Sequence, residues 1–365
     1  MKKKILILLL TLNTILVYSQ LSINATLTPT YIIQSTLIGS GITATNITFN
    51  GSSASALNVR DQVGIFSNGQ TTNLGMANGI IIATGKANLA IGPNNQNDDS
   101  SQTSFPIVGD PDLAQLVTYA IANKAVIEFD FISTNEIIGL DFIFASEEYP
   151  EFVNSIFNDV MGIFLSGPGI VGPFSNNAKN IAVLPLSSIP VITNTINNGL
   201  SNNGPCESCN YYVDNGTGNT PLVNATLQYD GFTTEIDATS AVQTGLSYHL
   251  KIAIANVYDN LYDSAIFLKA NSFNSSTLKS QSFNQSKITI FPNPAKNKVQ
   301  INLKDNFDTI EEITLFSMLG TQNNLSFKTS ANETSIDLSY LSKGLYFIEI
   351  NTKKKSRFIQ KLVID

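Results

Sequence analysis

Residues 125–131 read Ala-Val-Ile-Glu-Phe-Asp-Phe, and Ile127, Phe129 and Phe131 alternate there with polar Glu128 and Asp130, so three large apolar side chains share one face of an extended strand. The pattern recurs at Leu140, Phe142 and Phe144, at Tyr248, Leu250, Ile252 and Ile254, and at Ile266 and Leu268. Continuous apolar runs at residues 80–83, 161–165 and 181–184 predict strands buried on both faces. Turn formers such as Gly167, Pro168 and Gly169, or Asn197, Asn198 and Gly199, separate these segments. Helical spacing is confined to residues 110–122, with Asp112 as N-cap and Leu113, Leu116, Val117 and Ile121 on one face, and to residues 28–37. The pattern predicts an all-β protein whose large β-sandwich body carries one or two short peripheral helices.

The chain has 365 residues, 43% of them hydrophobic and only 13% charged, so it buries sizeable cores and divides into two or three domains. It has one His and no Trp, which excludes chemistry needing several imidazoles. Net charge is −7, and the charge is uneven: residues 1–20 carry +3, residues 289–365 hold 10 basic against 8 acidic groups, and the body between them holds 8 basic against 20 acidic. No positive field exists for nucleic acid. An acidic, Asn-rich body suits the outside of a cell and the binding of hard cations.

Lys2, Lys3 and Lys4 precede an apolar run over residues 5–17 and then Tyr18, Ser19 and Gln20, the organisation of a secretory signal peptide over residues 1–20. The run is shorter than the roughly 20 apolar residues of a membrane span. The mature chain is therefore expected in a compartment that permits disulfides. The body is expected over residues 21–272, a polar Ser/Asn-rich linker over 273–287, and a second domain over 288–365, where about seven short strand-like runs predict a small immunoglobulin-like β-sandwich.

That tail resembles the type A sorting domain of the type IX (Por) secretion system of Bacteroidota. The resemblance rests on Ile290, Phe291, Pro292, Asn293 and Pro294 at its start, Leu315 to Gly320 in its middle, and Lys343, Gly344 and Tyr346 near its end. The prolines suit an extended segment that cannot donate to a ladder, and Gly344 suits a tight turn into the strand holding Leu345 and Phe347. The resemblance implies passage across the outer membrane by recognition of the folded tail, with the secretion machinery and its sorting-domain peptidase as partners, and a secreted or outer-membrane surface location. Lys353, Lys354 and Lys355 read as a solvated hairpin tip or as part of the surface that machinery reads.

The body resembles the choice-of-anchor L domain, a family of secreted bacterial surface proteins. It does so through residues 79–85, Gly92, Pro93 and Asn94, Gly109 to Leu113, the stretch FIFASEEYPEFV at residues 142–153, residues 157–169 and residues 259–268. The resemblance carries no catalytic residues with it.

Glu147, Glu148 and Glu151 follow a strand with Pro150 among them, and three neighbouring carboxylates need something to offset their repulsion. A Ca²⁺ ion with 6 to 8 oxygen ligands, held by Glu147 or Glu148 with Asn158, Asp159, Asp259 and Asp263, would do so, and Asp110 with Asp112 forms a second candidate. The plain alternative is acidic residues facing water or capping turns. Glu147, Glu148 and Asp159 also suggest glycoside hydrolysis, which needs two carboxyls roughly 5 to 9.5 Å apart, with Tyr149, Tyr211, Tyr212 or Tyr258 as sugar platforms in the absence of Trp.

Cys206 and Cys209 are expected to form a local disulfide. Zinc lacks further soft ligands, a catalytic dithiol lacks the helix that would activate it, and free thiols are the remaining alternative. His249 alternates with Lys251 away from the apolar face and is expected at the surface. The function these readings predict is a secreted or surface-attached protein without catalytic activity. Its body would bind an extracellular glycan, polymer or surface protein; a secreted hydrolase and a structural coat component are the alternatives.

Overall fold

A computed structural model describes residues 20–55, 61–96, 98, 109–222, 225–276, 288–303, 309–317, 322–325, 327–330, 333–352 and 357–365. Residues 1–19 of the signal segment, residues 277–287 of the linker, Gly320 and Lys353 to Lys355 lie outside the described residues, whereas Phe273 and Asn274–Ser276, expected in the linker, belong to the body's core and sheet. The chain divides into two compact units, residues 1–278 and 279–365.

In the first unit, two antiparallel sheets enclose the main core. One runs in the order Ser22–Asn24, Val63–Ser67, Gly79–Ala83, Ser264–Lys269, Ile137–Ser146, Gly231–Thr233 and Tyr212–Asp214, with Ile236–Ala241 and Asn274–Ser276 also paired along Ile137–Ser146. The other runs Ser52–Ser53, Ile42–Phe49, Ile121–Ser133, Ser247–Val257, Val160–Ser166 and Lys179–Asn180. Ile127, Phe129 and Phe131 project inward with Leu250, Ile252 and Ile254 from the neighbouring strand, and meet Leu140, Phe142, Phe144, Ile266 and Leu268 of the facing sheet. The alternation read from the sequence is thus the inner face of a sandwich. Phe129 and Phe131 each meet Phe273 edge to face, with centroids 5.5 and 5.0 Å apart.

Both sheets are also covered outside. Leu21, Leu74, Met76, Leu227 and Tyr229 pack on Ile81, Ile143 and Phe267, while Leu113 and Ile192 pack on Val126, Phe164 and Ala253. This double burial explains the continuous apolar strands Gly79–Ala83 and Val160–Ser166. Residues 181–184 depart from expectation: Ile181, Ala182 and Leu184 are buried, but apart from an isolated bridge between Val183 and Pro190 they form no strand. Burial alone does not distinguish a strand from an irregular buried segment.

Residues 28–37 form the expected helix, as Pro29–Ile32 continued by a wider turn over Ile33–Leu37, with Thr28 Oγ1 accepting the Tyr31 amide at 3.3 Å. Residues 110–122 do not form one. Only a single turn, Leu113–Gln115, exists; Asp112 holds the N-cap position as expected but makes no side-chain cap bond, and Asp110 Oδ1 accepts the amides of Asp112 and Leu113 at 3.0 and 3.1 Å instead. Ile121 already belongs to the long strand Ile121–Ser133 and pairs with Val257. Tertiary pairing overrides a local helical pattern.

The second unit is a smaller sandwich. One sheet is Ile288–Phe291, Lys298–Leu303, Glu333–Asp337 and Phe327–Ser330; the other is Gln322–Asn324, Ile310–Ser317, Gly344–Thr352 and Arg357–Ile364. Val299, Ile301, Ile313, Leu315, Ile336, Ile348, Ile350 and Leu362 fill its core. Among the sorting-motif residues, Asn293 fastens the segment between the two prolines to the last strand: its Oδ1 accepts the Val363 amide at 2.9 Å and its Nδ2 donates to the Lys361 carbonyl at 2.7 Å. Pro292 and Pro294 flank it, Gly344 opens its strand, and the Tyr346 hydroxyl donates to the Ser342 carbonyl at 2.8 Å.

Candidate functional site

The two sheets of the body are laced together by buried polar groups at one end. Ile137–Ser146 runs to its last residue opposite Ser264, the first of its own strand. Ser264 Oγ donates to Asp159 Oδ2 at 2.6 Å, and Asp159 stands just before Val160–Ser166 in the other sheet. The Val257 amide donates to Asp159 Oδ1 at 3.0 Å. Thr84 Oγ1 donates to Asp263 Oδ1 at 3.2 Å and accepts the Ser264 amide at 2.9 Å. Each contact joins residues distant in the chain, so sequence alone does not reveal them.

The chain then turns through Glu147, Glu148 and Tyr149, all fully buried or nearly so. The Glu147 amide donates to the Asp263 carbonyl at 3.1 Å and the Glu148 amide to Ser146 Oγ at 3.0 Å, and the two side chains enter different surroundings. Glu148 faces Asp159, Asp259 and Glu151, and neither of its carboxyl oxygens has a hydrogen-bond partner. Burial, with those three negative neighbours adding to it, pushes its pKa up to about 11. Burial likewise holds Asp159 well above the carboxylate range, against the pull of its bonds from Ser264 and Val257. Glu147 instead lies against the carboxyl of Asp230, whose pKa burial raises to about 8 and whose Oδ1 accepts Asn94 Nδ2 at 2.7 Å.

Of the six residues expected to hold calcium, Glu148, Asp159 and Asp259 are brought together. Asp263 lies beside them with its Oδ1 engaged by Thr84, Glu147 points to Asp230, and Asn158 Oδ1 caps the Asn194 amide at 2.9 Å. Among the described residues, no three acidic, imidazole or thiol groups already converge on one ion position. Asn256, which the sequence did not single out, belongs to the same end: its Nδ2 donates to the Leu261 carbonyl at 2.9 Å, while its Oδ1 is buried without a partner.

Asp110 and Asp112 do not hold a cation of the solvent. Lys251 Nζ sits between them, 2.6 Å from Asp110 Oδ2 and 2.9 Å from Asp112 Oδ2, and all three side chains are at least nine-tenths buried. The protein's own ammonium occupies the second calcium candidate. His249, two residues away, is partly exposed and rests 2.8 Å from Asp130 Oδ1 and 3.5 Å from Glu128 Oε1. Asp110, Asp112, Lys251, His249 and Glu128 line a cleft of about 270 Å³ with Phe164.

Beside the acidic end runs a ledge of aromatic rings. Tyr119 meets Tyr258, Tyr258 meets Phe157, Phe157 meets Phe152, and Phe152 meets Tyr262, with centroid separations between 4.8 and 5.8 Å. Tyr119 and Tyr258 are exposed. Tyr258 and Tyr262 both adopt left-handed backbone, with φ of 80° and 53°, a conformation that side chains other than glycine enter at a cost of about 1–3 kcal/mol. Of the tyrosines considered as sugar platforms, Tyr258 is exposed, Tyr211 and Tyr212 are half-buried and Tyr149 is fully buried. Cys206 and Cys209 are joined in a disulfide, with Cα atoms 5.1 Å apart.

A two-sheet body and a small C-terminal sandwich with an Asn293-fastened start make up the two units. The chain belongs to the choice-of-anchor L domain family, which matches residues 21–274, and its tail is a secretion system C-terminal sorting domain, matching residues 289–365. It is exported by the type IX system, whose machinery it meets through that tail, and is located at the cell surface or in the medium. No curated protein matches it. Among solved structures it is similar to a polysaccharide lyase (9% identity, 68% of this chain and 33% of that one, TM-score 0.18). It is also similar to a DUF4785 family protein of Legionella pneumophila (9%, 73% and 70%, 0.19) and to the BSP domain of a biofilm associated protein (8%, 85% and 61%, 0.17). The chain spans about a third of the lyase's length, and TM-scores this low carry no argument.

Proposed function

We propose that the body is a non-catalytic binding module of the cell surface, and that it takes an extracellular glycan on the ledge formed by Tyr119, Phe157, Tyr258 and Tyr262. The ledge itself carries this reading: Tyr119 and Tyr258 are exposed, the backbone is strained at Tyr258 and at the half-buried Tyr262, and ring faces in solvent suit the apolar sides of sugars. Amide side chains suited to sugar hydroxyls stand in the adjoining loop, where Asn194 donates to the Ser155 carbonyl and Asn154 to Asn197. Binding rather than hydrolysis is supported by the burial of the carboxyls that a hydrolase was expected to use. Glu148 and Asp159 are both fully buried, whereas a glycosidase must bring its two carboxyls to the scissile bond.

Glycan arrays and a panel of chromogenic glycosides test the proposal. Binding without turnover, reduced at least tenfold by Tyr258→Ala, is the expected result. Turnover abolished by Glu148→Gln would replace the module with a hydrolase, and silence in both assays would leave the coat-component reading.

A further inference from the structure

Carboxylates are taken out of water only when something replaces the water. At the acidic end of the sandwich, Glu148 is completely buried and both of its oxygens lack a donor. Asn256 is equally buried and its Oδ1 also lacks one. Asp159 is completely buried, and each of its oxygens accepts a single bond, from Val257 or Ser264, which leaves a lone pair on each. Asp259, half-buried in the loop above, orients itself by accepting the Leu261 amide at 3.0 Å on Oδ1. No described Lys or Arg forms an ion pair with Glu148, Asp159 or Asp259. Orphaned acceptors of this kind, collected without a donor, suit a cation.

We propose that a calcium ion binds here, anchored by Glu148 and Asp159, with Asn256 Oδ1 as a further oxygen ligand and water completing the shell. An all-oxygen set with a neutral amide selects a hard cation, whereas zinc would want the imidazole or thiolate that this end lacks. Calcium rather than magnesium suits a set with few converging carboxylates, because its shell of 6 to 8 ligands is flexible. The ion would tie the turn after Ile137–Ser146 to the loop after Ser247–Val257, which carries Tyr258 and Tyr262. This inference stands without the glycan reading: a protein that binds calcium but no glycan loses only the latter.

The absence of Trp makes tyrosine the sole sensitiser of bound terbium, a calcium mimic, and Tyr258 and Tyr262 flank the site. The full chain, stripped with chelator, is titrated with Tb³⁺ and then with Ca²⁺, and its melting temperature is recorded with and without calcium. Saturable luminescence displaced by Ca²⁺ is expected, with Tm rising by about 5 to 10 °C at a hundredfold excess over Kd. Glu148→Gln keeps the size of the side chain, so the variant should stay folded in chelator while losing the calcium response. Asp159→Asn should weaken terbium binding at least tenfold. No luminescence above free ion and no calcium-dependent Tm shift in the wild type overturns the proposal, as does an undiminished response in a folded Glu148→Gln protein.

Discussion

Ser264 Oγ and Asp159 Oδ2 lie 2.6 Å apart, and this one bond joins the start of a strand in one sheet to the start of a strand in the other. Both residues are fully buried. Replacing Ser264 with Ala removes a donor from a buried carboxyl and should destabilise the body by about 1–3 kcal/mol. Urea unfolding of the two proteins in the same buffer checks it, and an unchanged midpoint would show that the bond contributes nothing net.

Lys251 is held between Asp110 and Asp112 in a buried ion triad. Lys251→Met leaves two aspartates facing each other without a cation and should cost about 3–5 kcal/mol. Adding Asp110→Asn and Asp112→Asn to that variant should recover much of the loss. A triple variant no better than the single one would mean that Lys251 acts through packing on Phe164, which its ammonium overlies at 5.6 Å, and not through charge.

His249 gives the body a pH dependence on the alkaline side. Glu128 first, opposed by burial and then helped by Asp130, raises its pKa above 6.5, so the folded state holds the proton more tightly than the unfolded chain. The stabilisation is complete below about 6.5 and fades as pH rises through the folded value. Glu128 and Asp130 are themselves lowered from 4.5 and 3.8, so their share is lost only as pH falls below those values. The facing groups are Glu128 and Asp130 from the neighbouring strand, Ser166 from the strand on the other side, and Lys251 on its own strand. Melting curves of wild type and His249→Gln should therefore differ most below about pH 6.5 and draw together as pH rises through the folded value.

The Cys206–Cys209 bridge spans three residues, so it removes little freedom from the unfolded chain. Replacing both cysteines with Ser should lower stability by about 2 kcal/mol or less, with faster amide exchange confined to the neighbouring loop. Global unfolding of that variant would contradict the local role.

Deleting residues 289–365 should stop the body at the outer membrane, leaving it in the periplasm. Fractionation with an antibody to the body reads this directly. Wild-type protein recovered from the medium and the envelope should have lost mass equal to roughly the last 70 to 90 residues, if the tail serves only for sorting.

Much of the fold was legible because alternation is a local property. Ile127, Phe129 and Phe131 announce an inner face whatever they meet, and the two modules with their polar linker show in composition and motif. Residues 110–122 misled because helical spacing of Leu113, Leu116, Val117 and Ile121 says nothing about a partner strand, and Val257 claimed Ile121. The candidate site was half legible: the run of acidic residues marked the right turn, and the sequence had no means of separating Glu147 from Glu148.

The sequence by itself determined the strands, the division into body and tail, and the export route, since each follows from neighbouring residues or short motifs. Only the tertiary structure decided which charges are neutralised from within. Lys251 closes on Asp110 and Asp112 from about 140 positions away, whereas Glu148, Asp159 and Asn256 gather at the sandwich end with no cation of their own. The reason is physical: the energy of a buried charge depends on what surrounds it in space, and in an antiparallel sandwich those surroundings come from strands remote along the chain.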